Sequence, residues 1–295
     1  MPAFEFASPR SLQDALKLFA QPGTVRALAG GTDIIDQLKA GRRNADLVVD
    51  VKRIPQLQRL EFDSEGLHLG AARCCTDVHH NRDVWQRYPA LAESAGLVGS
   101  VQIQNRAAVG GNVCNAAPSA DTTPALLVHD AKAIIASQRG NRVVPLTDFF
   151  AGPGQTVLQK GEILLGLLLP PPPEHSASAY LRFIPRNEMD IAVAGVGSYL
   201  ELDPATHIVR KARIALASVA PTPVRARAAE AALEGRTLTE DLIEHAGEEA
   251  VKAAAPITDV RGSAEYRKEL VKVLTRRTVR ICQERITGVS TNGRH

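Results

Sequence analysis

The sequence predicts an α+β chain in two parts, and three observations carry that prediction. Short apolar strands alternate with amphipathic helices over roughly the first 70 residues, as two β–α–β units would. Four consecutive prolines at 170–173 form a stiff, extended segment that no helix or central strand continues through. Beyond them, three long strand-like runs precede three helical stretches, the pattern of a sheet with helices packed on one face.

Ser8-Pro9, followed by Leu12, Ala15, Leu16 and Phe19, reads as a capped helix with proline in its first turn. Residues 25–29 form a short strand that runs into Gly30-Gly31, residues 47–51 form a second strand, and Leu67-His68-Leu69 begins a third. Residues 76–98 are mostly helical, and a glycine-containing loop at 109–112 leads to a helix over 123–128. Residues 132–136 and 142–145 are expected to pair, and 163–169 is another strand. The domain boundary is placed at the prolines. This gives an N-terminal domain 1–173, with subdomains of about 1–52 and 53–173, then a C-terminal domain 174–289 and a tail 290–295. Residues 179–184, 191–202 and 209–219 form a meander with a turn at Asp203-Pro204. Helices are expected over 224–233, 239–254 and 264–285.

Composition excludes several classes. With 44% hydrophobic residues the chain can bury a sizeable core. Aromatic residues make up only 4%, which disfavours a nucleic-acid reader built on base stacking. The net charge is +3 and basic residues are interleaved with acidic ones, so no polyanion or membrane footprint stands out. The longest apolar run, 163–169, falls far short of the ~18–20 residues that span a bilayer. The N-terminus lacks the basic and apolar regions of a secretory signal, so a cytoplasmic protein is expected. The four cysteines, Cys74, Cys75, Cys114 and Cys282, have neither zinc-ribbon nor ferredoxin spacing, so any iron–sulfur chemistry belongs to another chain.

Two glycine motifs carry the chemistry. In Leu28-Ala29-Gly30-Gly31-Thr32-Asp33-Ile34 a strand enters a diglycine and a helix leaves it. Glycine lets main-chain N–H groups approach a ligand, and a helix N-terminus favours an anion, so this geometry suits a pyrophosphate. An ordinary tight strand-to-helix turn accounts for the same residues. The second motif runs from Val109-Gly110-Gly111-Asn112 through Asn115 and Pro118 to Asp121. A second anion-cradling loop favours a dinucleotide. Asp121 could bind a ribityl or ribose hydroxyl, cap the following helix, or do both. Neither G-x-x-x-x-G-K-[ST] nor G-x-G-x-x-G occurs, so P-loop and Rossmann sites are disfavoured.

Ala-Gly-Gly-Thr-Asp at 29–33 and Val-Gly-Gly-Asn at 109–112 resemble the two FAD loops of the molybdopterin dehydrogenase flavoproteins, the family of xanthine and carbon monoxide dehydrogenase flavin subunits. Gly152-Pro153-Gly154-Gln155, Gly161-Glu162-Ile163-Leu164, residues 186–193 and Ala220-Pro221-Thr222-Pro223 fit the same family in order. The resemblance implies a two-part FAD-binding domain of the PCMH type, followed by a C-terminal antiparallel sheet with packed helices. It implies that the main chain of Ala27, Leu28, Ala29, Gly30, Gly31, Thr32, Asp33 and Ile34, and of Ala108, Val109, Gly110, Gly111 and Asn112, wraps FAD. Asn115, Asp121, Leu164 through its main chain, and Arg182 are implied as further cofactor contacts, although an arginine on a strand is more commonly a plain surface residue. The family further implies a small [2Fe-2S] subunit and a large molybdenum-cofactor subunit, assembled as a heterotrimer or a dimer of heterotrimers, with no nucleic-acid partner.

Under this resemblance the chain passes electrons from iron–sulfur clusters through FAD to NAD⁺, oxygen or a quinone. A stand-alone FAD-dependent oxidoreductase is the alternative, and turnover by the isolated FAD-loaded chain separates the two. A cofactor-free scaffolding relative is a third reading, which absence of flavin binding would favour. His79-His80 lack a third metal ligand at useful spacing and, about 100° apart on a helix, share no face. Arg276, Arg277 and Arg280 form a charged face on the last helix that could meet another subunit.

Overall fold

The computed structural model describes residues 3–186 and 189–288, so the tail expected at 290–295 lies outside the described residues. The chain begins with β1 (Glu5–Ala7), α1 (Leu12–Phe19), β2 (Val25–Leu28), α2 (Ile34–Lys39) and β3 (Leu47–Asp50). Both β1 and β2 pair with β3 in parallel, giving the order β1-β3-β2. Alternation along β3 feeds two cores. Leu47, Val49 and Val51 pack with Ala15, Leu16 and Phe19 of α1, while Val48 packs on the other face with Leu38 of α2. The cap of α1 is not where the sequence placed it. Ser11 accepts the Asp14 N–H at 3.1 Å, whereas Ser8 donates to Asp50 at 3.1 Å.

Next, β4 (Leu60–Asp63) and β5 (Gly66–Gly70) form a hairpin, so Leu67-His68-Leu69 belongs to an antiparallel sheet and begins no further β–α–β unit. Short helices α3 (Cys75–His79), α4 (Arg82–Arg87), α5 (Pro89–Ala95) and α6 (Val101–Gln104) cover 75–104. The expected loop at 109–112 is instead the first turn of α7 (Val109–Asn115), which is followed by α8 (Thr122–Val128). Glycine lowers helix propensity, but burial of Val109, Gly110 and Val113 outweighs that cost here. Strands β6 (Lys132–Ser137) and β7 (Gly140–Pro145) pair as expected. A small ribbon of β8 (Phe150–Gly152) and β9 (Gln155–Thr156) precedes β10 (Ile163–Leu169). The resulting antiparallel sheet has the order β4-β5-β10-β6-β7.

After the prolines, β11 (Ser176–Phe183), β12 (Ala194–Leu202) and β13 (Val209–Ala217) form the expected meander. It is extended by a two-residue strand β14 (Val224–Arg225) where the sequence had predicted the start of a helix. Helices α9 (Arg227–Leu233), α10 (Glu240–Val251) and α11 (Ala264–Thr287) complete the chain. The sheet is covered on both faces. Ala179, Val196, Leu200, Ile214 and Leu216 pack with the C-terminal helices, while Tyr180, Tyr199 and Ala215 join the core of the preceding part, which includes α8. On α11, Arg276 pairs with Glu244, Arg280 with Glu240, and Lys272 with Glu244 at 3.0 Å, while Arg277 is exposed.

His129 sits in the seam between the two parts, 5% exposed. Its Nε2 lies 2.9 Å from the Ser178 hydroxyl, which also accepts the Ala90 N–H at 3.1 Å. Burial, helped by nearby Arg213, lowers its pKa from 6.5 to about 3, so the folded chain holds it neutral. The unfolded chain then binds the extra proton, and stability falls as pH drops from 6.5 toward about 3. Replacing His129 with Gln should flatten that acid limb in urea denaturation series run at pH 5 and pH 7. An identical pH dependence in the variant would contradict this assignment.

Candidate functional site

The turn after β2 is shaped by two different constraints. Gly30 packs so closely on the chain preceding α7 that a Cβ would collide with the Arg106 carbonyl. Gly31 has φ of +82°, a left-handed conformation that side chains disfavour. The Ile35 N–H donates to the Gly31 carbonyl at 3.3 Å, so helical bonding starts at Gly31 and includes Thr32, Asp33 and Ile34 in its first turn. Asp33 occupies the N-cap position but makes no cap hydrogen bond. The N–H groups of such a turn have no acceptor within their own helix. Ala27 is exposed on β2, one of the two edge strands of its sheet.

The second glycine pair lies directly opposite. Ala108 leads into α7 with extended backbone, and Val109, Gly110 and Gly111 form its first turn. A Cβ on Gly110 would lie 2.5 Å from the Ala71 Cα, closer than packed atoms allow. A Cβ on Gly111 would lie 3.8 Å from the β-carbons of both Ala108 and Ala29, which is ordinary contact. The two diglycine turns therefore abut each other; an added Cβ would meet only ordinary contacts at Gly31 and Gly111, and of these two Gly31 has the positive φ that disfavours a side chain. Gln37 fastens α2 to α7 by donating to Asn115 Oδ1 at 2.9 Å. Arg43 donates to the Gly154 carbonyl at 3.2 Å, and the Gly154 N–H donates to Ala116 at 2.9 Å, which brings in the β8–β9 turn.

Leu164 neighbours the residue that links β10 to this group through the backbone. It is buried in β10, where one extra residue, Leu165, sits between the pairs Leu164–Ile135 and Gly166–Ile134. The Leu165 carbonyl accepts the N–H of Ala71, the residue on which Gly110 rests.

Asp121 does not cap α8. Its backbone is helical and its side chain makes no cap bond. Instead Oδ2 accepts from Arg182 Nη1 at 2.6 Å and Oδ1 accepts from the Tyr180 hydroxyl at 2.8 Å. Nor is Arg182 a plain surface residue: its side chain is 5% exposed, and its Nε is buried with no hydrogen-bond partner in the chain. Burial pushes the Asp121 carboxyl up to about 6, against the opposing pull of Arg182 and Tyr180. The Thr122 hydroxyl donates to Asn112 at 2.7 Å, tying this cluster to the first turn of α7.

Sequence reasoning missed Gln37, Arg43, Ala71 and Tyr180. Of these only Tyr180 left a legible signal, two residues before Arg182 and so on the same face of β11. His79 and His80 form no ligand set. His79 Nδ1 lies 2.9 Å from the Ala92 carbonyl. The grouping of potential metal ligands among the described residues is Asp63, Glu65 and His68 on the β4–β5 hairpin, where His68 pairs with Asp63 at 2.9 Å.

Main-chain donors at two abutting turns, with a buried guanidinium nearby, suit a ligand rich in acceptors and negative charge. The family model described as the FAD binding domain in molybdopterin dehydrogenase matches residues 2–172, and that of the CO dehydrogenase flavoprotein C-terminal domain matches 179–281. The chain belongs to the molybdopterin dehydrogenase flavoprotein family. This flavoprotein is 34% identical to a xanthine dehydrogenase FAD-binding subunit of Escherichia coli O157:H7, over 94% of its own length and 96% of the relative. It is 28% identical to the carbon monoxide dehydrogenase medium chain of Hydrogenophaga pseudoflava, over 94% and 96%. A solved carbon monoxide dehydrogenase from Hydrogenophaga pseudoflava superposes with a TM-score of 0.92 at 30% identity, over 96% of this flavoprotein and 98% of that chain. The chain is thus an FAD-binding oxidoreductase subunit. Its residues fit the cofactor, with two glycine-lined helix starts side by side and an unsatisfied buried donor at Arg182.

Gly30, Gly110 and Gly111 should separate by stability. Gly30→Ala and Gly110→Ala force main chain apart and are expected to cost about 1–3 kcal/mol in urea denaturation. Gly111→Ala meets only ordinary contacts and should leave the midpoint at or slightly above wild type. Equal destabilisation by Gly111→Ala and Gly110→Ala would refute this packing description.

Proposed function

We propose that this flavoprotein is the electron relay of a molybdenum hydroxylase complex. It carries electrons from the [2Fe-2S] clusters of a small subunit to an external acceptor such as NAD⁺, oxygen or a quinone. Substrate is hydroxylated at the molybdenum cofactor of a large subunit, and the three chains form a heterotrimer or a dimer of heterotrimers in the cytoplasm. Support for partners comes from the relatives, one of which is named a medium chain. No helix among the described residues is long and apolar enough to cross a membrane.

FAD, when bound, supplies the exchange between one-electron and two-electron transfer. The polypeptide binds and orients it. The main chain of 27–34 and 108–112 wraps the diphosphate and ribityl chain, the N–H groups of Val109 and Asn112 being engaged by Arg73 and Ala108, with Asn115 bracing the second turn against Gln37. Asp121 and Arg182 act as a pair at the cofactor, and Leu164 contributes through its main chain. Domain limits at about 52 and 173 accord with this division of labour: the two diglycine turns come from either side of the first limit, and Arg182 from beyond the second. A relay is favoured over a free-standing oxidoreductase because Asp121, the buried carboxylate at the site, already holds Tyr180 and Arg182. It is not placed as a free acid or base.

The abutment of the two diglycine turns, where a Cβ added to Gly111 would meet only the β-carbons of Ala108 and Ala29, carries this reading. Gly111→Ala should lower flavin per purified chain at least about tenfold, about 1.4 kcal/mol of binding, while the denaturation midpoint holds. Full flavin occupancy in that variant would count heavily against the assigned site. Purification of the tagged full chain from its own source should bring down an iron–sulfur and a molybdenum subunit in equal amounts. A chain that always isolates alone would oppose the relay assignment.

A further inference from the structure

We propose that Tyr180 is a positioning residue for the flavin site: its hydroxyl fixes the Asp121 carboxylate, and that carboxylate aims the Arg182 guanidinium. The inference rests on the reading of Arg182 as a cofactor contact.

Tyr180 and Arg182 are two apart on β11 and so project to one face of the sheet. Each takes a different oxygen of Asp121, Tyr180 at 2.8 Å and Arg182 at 2.6 Å. The carboxylate is thereby held at both ends, which a single ion pair would not achieve. Tyr180 is 2% exposed and its ring packs in the core, so the hydroxyl has little freedom to choose another acceptor. Space for that hydroxyl is provided by Gly195 on β12, the residue directly opposite Arg182 in the sheet register. A Cβ at Gly195 would stand 2.6 Å from the Tyr180 oxygen. A glycine, a tyrosine, an aspartate and an arginine thus form one connected chain of contacts, whose far end is the buried, unpartnered Nε of Arg182. Hydrogen bonds to an ionised carboxylate are stronger than neutral ones, so loss of the Tyr180 hydroxyl weakens the anchor more than an ordinary deletion would.

The groups facing Asp121 are Tyr180 and Arg182; the buried Cys75 thiol of α3, pushed up to about 12, stays neutral beside them. Tyr180 and Arg182 both favour the ionised carboxylate, so removing either raises the pH at which Asp121 takes up a proton.

The test titrates FAD into deflavinated full-length protein, together with any subunits that accompany it, and follows flavin fluorescence from pH 5 to pH 8. Tyr180→Phe should weaken FAD binding about tenfold and move the acid limb of the affinity profile to higher pH. In an Arg182→Gln background the same substitution should have almost no further effect, because Tyr180 acts through the arginine. Should Tyr180→Phe not fold, Gly195→Ala, which displaces the hydroxyl and keeps it, should produce the same shift of the acid limb. Wild-type affinity with an unmoved acid limb, or a tenfold loss that persists undiminished in Arg182→Gln, would overturn the role of Tyr180. If Arg182→Gln itself binds FAD as wild type does, the assignment of Arg182 to the cofactor falls instead.

Discussion

Main chain pressed against main chain is the constraint on which the site depends. Gly30 rests on the Arg106 carbonyl and Gly110 on Ala71, and neither contact tolerates a single added carbon. These are steric requirements of the folded protein, independent of any ligand, and they bring three separate stretches of chain to one place. Once they are met, Ala29 and Gly111 lie side by side, α2 and α7 are near enough for the Gln37–Asn115 bond, and the first turns of both helices adjoin. The meeting of the two turns is thus a product of close packing, and at Gly111 that packing is relaxed to ordinary contact.

A second kind of organisation governs the buried charges. Asp121 and Arg182 are 61 residues apart and come from different sheets' neighbourhoods, yet they form a pair with almost no solvent contact. Such a pair gains little net stability from burial, since desolvation offsets much of the attraction. What it supplies is orientation, and the two-sided grip on the carboxylate serves that end.

Much of this was legible in the sequence. Alternation in the 47–51 run, the long apolar stretch at 163–169 and the meander beyond the prolines all express burial patterns that follow from side-chain period alone. The diglycines stood out because few other residues can make such turns. Less legible were features set by tertiary contact. Residues 109–112 carry two glycines and read as a loop, yet burial of Val109 and Val113 makes them helical. Val224 and Arg225 look like a helix start, but the free edge of β13 recruits them as a strand. The true cap of α1 is Ser11 rather than Ser8, a choice made by Asp50, which takes the earlier serine from a distant strand. Arg182 looks like a surface residue until its partner, far away in sequence, is known.

The last helix does more than cover a sheet. Near its end, Arg285 reaches across to Glu93 and to the Ser178 carbonyl, both in the seam with the earlier part of the chain. Strand β11, which carries Tyr180 and Arg182, is held in register partly by that distant clasp. The clasp residue stands 107 positions beyond Ser178, so this strand depends on a part of the chain far from it in sequence. Tyr180 and Arg182 thus share their strand's support with a helix-end arginine that bonds to neither of them.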